Sequence, residues 1–253
     1  MNMILSTVPV QGARIVVTGA LGGVGSALMV ALESVGCAVI GIDRPEVVSS
    51  ASDTRRFIAA DLSDAESARA AIHSAIESLD GLDHLVGAAA NVATIHRARS
   101  FPAETFRDDV ATNLLSQFWT VQAAYPALTD SDMASVVMVS SIGALDGLPG
   151  QASYAAAKAG ILGLVRTLAA EWAGARIRVN AIVPGLVGTP KVLAMTDDIR
   201  GRVLANVAMG RLVSVEEVVA SVAFLLSPAA AAITGQSIRV DAGAGLNTVG
   251  LHR

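Results

Sequence analysis

The segment RIVVTGALGGVG, residues 14–25, limits the possible folds more than any other stretch of the chain. A run of β-branched residues passes directly into TGALGGVG, four glycines within eight positions. Each glycine at a helix start costs roughly 1 kcal/mol against alanine, so their accumulation predicts a place where something approaches the backbone closely. Such a turn suits an anion, because the N–H groups of the first helical turn have no partners within the helix. In the pattern G-x-x-x-G-x-G, Gly19 permits the tight turn out of the strand and Gly23 lets a pyrophosphate reach the backbone. Gly25 lets helix and sheet pack closely.

Short apolar runs of the same kind recur: CAVIGID, RRFIAADL, HLVGAAA, SVVMVSS, RIRVNAIVPG and SIRVDAG. Between them lie helical patterns, with Val24, Leu28, Leu32 and Val35 on one face of the first and Ala68, Ile72, Ala75, Ile76 and Leu79 on one face of the third. Ser63 with Glu66, and Ser214 with Glu217, have the spacing of capping boxes. Strands buried on both faces and alternating with helices predict an α/β Rossmann-like fold. Its doubly wound parallel sheet would hold about seven strands, with helices on both faces. Residues 1–253 are read as one dinucleotide-binding catalytic domain.

The chain is 53% hydrophobic, yet every apolar stretch is broken before about 20 residues, so no membrane span is expected. A formal net charge of -4 without a basic run argues against a nucleic-acid partner. MNMILSTVPVQGAR carries no basic residue before Arg14, a poor signal peptide, and the expected location is cytoplasmic. The single cysteine, Cys37, sits in an apolar run and reads as a buried thiol. His73, His84, His96 and His252 are scattered, with no CxxC or HExxH, so no metal site is expected.

The second predicted strand ends in Asp43, 18 positions after Gly25, where a carboxylate can accept hydrogen bonds from ribose hydroxyls and repel a 2′-phosphate. The expected coenzyme is therefore NAD rather than NADP. Arg44 follows, and reads as a solvated arginine that could alternatively turn toward a phosphate.

Tyr154 and Lys158, in SYAAAKAG, are spaced i, i+4 and share a helical face. The chain has only two lysines, Lys158 and Lys191, against sixteen arginines, and only two tyrosines, Tyr125 and Tyr154. An ammonium one turn from a phenol favours the phenolate, and so suits a tyrosine that must exchange protons near neutrality.

The ordered set TGALGGVG, AADL, ATNLLSQF, VMVSSIG, YAAAK and RVNAIVPGLVGTP resembles the short-chain dehydrogenase/reductase family across nearly the whole chain. The resemblance implies that Tyr154 is the general acid/base and that Lys158 holds the nicotinamide ribose and lowers the phenol pKa. It further implies that Ser141, thirteen positions before Tyr154, bonds the substrate oxygen, with Ser140 serving the strand, and that Asn113 positions a water for proton relay. Coenzyme contacts would come from Gly19, Leu21, Gly23, Val24, Gly25, Asp43, Arg44, Tyr154 and Lys158. Asp61 and Leu62 would flank the adenine, and Pro184, Gly185, Val187 and Thr189 would surround the carboxamide. One departure stands out: where the family has Asn-Asn-Ala-Gly, this chain has Gly87-Ala88-Ala89-Ala90, with Asn91 out of register. Ala89 and Ala90 are carried over by position, the amide role not at all, and weaker coenzyme binding or stability is the expected cost.

The reaction so implied is reversible hydride transfer between NAD(H) and a secondary alcohol or ketone, with no metal. GQASYAAAKAGILGL also resembles reductases of 3-oxoacyl thioesters, against which Asp43 weighs because those reductases generally use NADPH. A non-catalytic NAD-binding sensor is the reading from another class. NVATIHRARSF, IGALDGLPGQ and the segment after Gly185 would line the pocket, and their apolar residues suggest a largely apolar small molecule, although lid packing explains them equally. His96, Arg97 and Arg99 read as solvated loop residues, with contact to an acidic group as the alternative. Two stripes, Phe106, Val110, Leu114, Phe118 and Val121, and Ile161, Leu164, Val165, Leu168 and Trp172, are long enough to cover the sheet and a second subunit. The resemblance implies a homotetramer, with a homodimer as the alternative.

Overall fold

A computed structural model describes residues 6–51, 56–92 and 95–246. The N-terminal run before Ser6, together with Arg55, Ala93, Thr94 and His252, lies outside the described residues.

All seven predicted runs form strands: β1 Arg14–Thr18, β2 Ala38–Asp43, β3 Phe57–Ala59, β4 His84–Gly87, β5 Ser135–Val139, β6 Arg178–Pro184 and β7 Ser237–Val240. They make one sheet, in the order β3-β2-β1-β4-β5-β6-β7, and every pairing is parallel. The helices are α1 Gly23–Ser34, α2 Pro45–Val48, α3 Ala65–Leu79, α4 Ala103–Val110, α5 Ser116–Thr129, α6 Gly143–Asp146, α7 Ala152–Trp172, α8 Pro190–Leu193, α9 Asp197–Leu204 and α10 Val215–Leu226.

Alternation along the strands separates two cores. Val16 packs on one face with Ile72 of α3, Val121 of α5 and Val165 of α7, while Ile15 and Val17 pack on the other with Leu28 of α1 and Val222 of α10. Both faces of β1 are thus buried, which is why its sequence is uniformly apolar. β1 lies between β2 and β4, so the winding reverses there and leaves a crevice beyond the carboxyl ends of β1 and β4. Cys37 is buried, and burial pushes its thiol pKa up. No helix among the described residues is long and apolar enough to cross a membrane.

Two local expectations are corrected. Ser214 and Glu217 form the full reciprocal capping box at α10, but the cap of α3 is Asp64, whose carboxylate accepts from the Ser67 N–H at 2.8 Å. Ser63 instead donates from both its N–H and its hydroxyl to Asp61. The stripe from Phe106 to Val121 is not uniformly the inward face either. Val121 is fully buried, but Phe106 is exposed and Val110, Leu114 and Phe118 are half-buried. Asp109, Asn113, Ser116, Gln117 and Thr120 point inward instead. Residues Ala111–Leu115 form a π-turn between α4 and α5, and the extra residue in this turn shifts the phase of the face turned inward.

Candidate active site

The glycine turn is built as its composition predicts. Gly19 has φ +65°, and a Cβ there would lie 2.6 Å from Ala89 Cα. A Cβ on Gly25 would stand 2.1 Å from the Gly19 carbonyl, and one on Gly23 would press on Thr189 at 2.9 Å. Gly19 and Gly25 therefore let β1, the end of β4 and α1 converge, while Gly23 admits the chain leaving β6. The turn is braced by Asp43, whose Oδ2 accepts from the Leu21 N–H at 2.8 Å while Oδ1 accepts from the Arg44 N–H. A carboxylate has lone pairs beyond these two, so it can still accept from ribose hydroxyls. The Arg44 guanidinium pairs with Glu46 at 3.1 Å in an exposed position.

The residues present fit a dinucleotide: the turn is glycine main chain with no side chain at its surface, it runs into the start of α1, and the Asp43 carboxylate braces it from the end of β2. Val24 lies in the first turn of α1, half-buried. Leu62 is buried and Asp61 exposed just beyond β3. Pro184 ends β6, and Gly185 passes so close to β7 that a Cβ would lie 2.9 Å from Asp241 Cα. Val187 bridges to Val213, and Thr189 caps the amino end of α8 beside Gly23. Ala89 donates its N–H to the Thr18 hydroxyl at 3.3 Å, and the segment 88–90 follows β4 over the crevice.

Across the crevice, α7 presents Tyr154 and Lys158 toward the end of β5. The Ser141 side chain lies close enough to the Tyr154 hydroxyl to oppose the rise of its pKa. Ser141 Oγ accepts from the Gly143 N–H at 3.2 Å. Lys158 is 1% exposed, its Nζ donates to the Val139 carbonyl at 2.8 Å, and it lies 5.7 Å from the centroid of the Tyr154 ring. Ser140, next to Ser141, donates its hydroxyl to the Lys158 carbonyl at 2.8 Å, so it ties β5 to the helix that carries the site.

The electrostatics differ from the sequence expectation. Burial raises the Tyr154 phenol, opposed by the Ser141 side chain, and burial pushes the Lys158 amine down to about 7. In the free protein the lysine is therefore not the strong fixed cation that its i, i+4 position suggests, because the same burial that brings it to the ring removes the water that stabilises its charge.

Asn113 is fully buried within the π-turn. Its Nδ2 donates to the Asn91 and Asp109 carbonyls, at 3.0 and 2.9 Å, and its Oδ1 accepts from the Asn91 N–H at 3.0 Å. Both amide hydrogens are thus engaged, one in holding the segment after β4 and the other on the Asp109 carbonyl one turn earlier. Sequence reasoning missed two further residues here. Asp109 accepts a 2.5 Å hydrogen bond from Ser153, the residue before Tyr154, and Gln117 donates from Nε2 to the Ala89 carbonyl at 3.3 Å. Helical spacing could have found them, since Asp109, Asn113 and Gln117 fall four residues apart.

In the segments expected to line the pocket, Ile95, Leu145, Leu148, Leu193, Ile199 and Met209 are exposed, while Leu186, Val192 and Met195 are half-buried. His96 is fixed by its N–H to the Gly150 carbonyl and by an edge contact with Phe101, while Arg97 and Arg99 are exposed.

Comparison with known proteins places this geometry among relatives. Residues 19–245 match the family described as Enoyl-(Acyl carrier protein) reductase. The chain is 34% identical to an acetoacetyl-CoA reductase of Acinetobacter sp., over 90% of this chain and 95% of that protein. It is 33% identical to a 3-oxoacyl-[acyl-carrier-protein] reductase of Vibrio cholerae, over 92% of this chain and 97% of that one. Among solved structures, a short-chain dehydrogenase/reductase from Serratia marcescens superposes with a TM-score of 0.85 at 28% identity, covering 94% of this chain and 100% of its own.

Proposed function

The chain belongs to the short-chain dehydrogenase/reductase family, and we propose that it interconverts a secondary alcohol and a ketone with NAD(H) as coenzyme. The observation that carries this reading is the convergence of Ser141, Tyr154 and Lys158 at the end of β5, facing the glycine cradle across the crevice. Pure binding of a dinucleotide needs the cradle but not a buried lysine beside a phenol, which weighs against a sensor without catalysis.

A nicotinamide coenzyme held on the glycine turn would supply or accept the hydride. The protein's own part is the proton. Tyr154 gives it to the carbonyl oxygen in reduction or takes it from the hydroxyl in oxidation, and Ser141, beside the phenol, fixes that oxygen. Lys158 holds the nicotinamide ribose, and Asn113 supports the proton path by anchoring the Asn91 segment. Leu21, Val24, Asp61, Leu62, Pro184, Gly185, Val187 and Thr189 complete the coenzyme surface. Asp43 favours NAD, because a 2′-phosphate would meet its carboxylate, and the Glu46 pairing draws Arg44 away from that role.

A 3-oxoacyl thioester is the second reading. It has support in the names of the two reductases above and in the exposed apolar residues of the segments expected to line the pocket, which would suit an acyl chain. We further propose a cytoplasmic homotetramer, with a homodimer as the alternative. The half-buried residues Val110 of α4 and Phe118 of α5, which pack in neither core, would be covered by the second copy.

Initial rates over a panel of secondary alcohols with NAD or NADP, and of ketones and acetoacetyl-CoA with NADH or NADPH, test the reading. Turnover of simple alcohols or ketones with NAD(H) preferred is the expected result. Turnover confined to the thioester with NADPH would replace it by the second reading, and no redox turnover on any member would contradict both.

A further inference from the structure

Gly87 is a glycine without an evident backbone reason. It lies within β4, outside the left-handed region, paired in register with Thr18 of β1 and Met138 of β5. A side chain is excluded there by another side chain: a Cβ on Gly87 would lie 1.8 Å from Gln117 Oε1. Gln117 is 2% exposed and reaches down from α5 onto the strand end, where its Nε2 donates to the Ala89 carbonyl. One turn earlier on the same inward face, Asn113 bonds both the N–H and the carbonyl of Asn91. The two amides thus hold alternate residues of the segment that abuts Gly19, whose missing Cβ would strike Ala89.

Burying a carboxamide in this position is costly unless its polar atoms are used, and an apolar side chain of equal size would fill the same space. We propose that Gln117 is a positioning residue for the coenzyme: paired with Gly87, it supplies from the helix the amide that the strand itself lacks at 87–90, and so fixes the Ala89 edge of the cradle. The inference rests on the coenzyme reading given above.

Gln117→Met keeps the length of the side chain and removes its N–H donor, and Gln117→Glu keeps the shape and replaces the donor by an acceptor facing the Ala89 carbonyl. The readouts are the Kd for NADH and NADPH by fluorescence titration, amide hydrogen exchange over residues 88–91 in the free protein, and the melting temperature. Both variants are expected to weaken binding of the preferred coenzyme about five- to tenfold and to speed exchange at 88–91. If Gln117→Met does not fold, Gln117→Glu decides. Folded variants with wild-type Kd and wild-type exchange would overturn the proposal, since only the shape of Gln117 would then matter. A wild-type protein that binds neither NADH nor NADPH would instead overturn the coenzyme reading itself, and this inference with it.

Discussion

Lys158 is among the largest side chains that the fold buries completely, with the Val139 carbonyl as hydrogen-bond partner for its amine. Its pKa falls from 10.5 to about 7 on folding. Between those values the unfolded chain holds a proton that the folded chain releases. Stability therefore drops as pH falls from 10.5 toward 7, and near neutrality the fold carries almost the whole penalty. Lys158→Met is expected to abolish turnover yet raise stability at pH 7.5 by about 1–3 kcal/mol, with a smaller gain at pH 10. Thermal melts of both proteins at the two pH values check this, and a destabilised variant at pH 7.5 would contradict it. The placement of Lys158 beside Tyr154 and the tight turn at Gly19 were legible because the signals are local, one in an i, i+4 pair and one in a turn too tight for a Cβ. For Gln117 the four-residue spacing from Asn113 was available, but its pairing with Gly87 was not, because Gly87 is thirty residues away and on a strand.

At the level of elements, the strands were the most legible part, since burial on both faces writes a continuous apolar run into the central ones, while the edge strands β3 and β7 are only half-buried. Helix faces were less so. The stripe through Phe106 and Val110 has the right period, but the π-turn at Ala111–Leu115 and the polar contacts of Asp109, Asn113 and Gln117 turn a different face inward. Local cap spacing also misled once, because Ser63 has Asp61 as a nearer acceptor and leaves the cap of α3 to Asp64. The difference is measurable. Ser214→Ala and Asp64→Ala, which remove caps, are each expected to cost about 1 kcal/mol in urea unfolding, and Ser63→Ala less than about 0.5. A larger loss for Ser63→Ala than for Asp64→Ala would reverse the assignment.

Across the whole molecule the two ends of the sheet do different work. The carboxyl end holds the glycine turn and the Ser141, Tyr154 and Lys158 cluster. At the amino end, burial raises the Asp83 carboxyl, but three hydrogen bonds from Arg14 and one from Ser131, with the Arg14 charge, outweigh it and hold the pKa down at about 2. Beside it, burial pushes the His84 imidazole down to about 4. For both groups the unfolded chain takes up protons before the folded one. The stability they contribute is complete above pH 6.5, declines as His84 is titrated toward pH 4, and declines again as Asp83 is titrated below 3.8. A melting temperature that falls between pH 6.5 and 4 is expected, and His84→Asn should flatten that part of the profile. An unchanged slope in the variant would assign the decline to other groups.

The central claim is that the coenzyme sits on the glycine turn while Tyr154 handles the proton, so that binding and chemistry are separable at one hydroxyl. Tyr154→Phe measures this most directly, with NADH titrated by fluorescence and turnover followed on the best substrate of the panel. The expected result is a Kd within about twofold of wild type and a kcat lowered by roughly a hundredfold or more. Turnover at the wild-type rate in a variant that binds NADH normally would contradict the account.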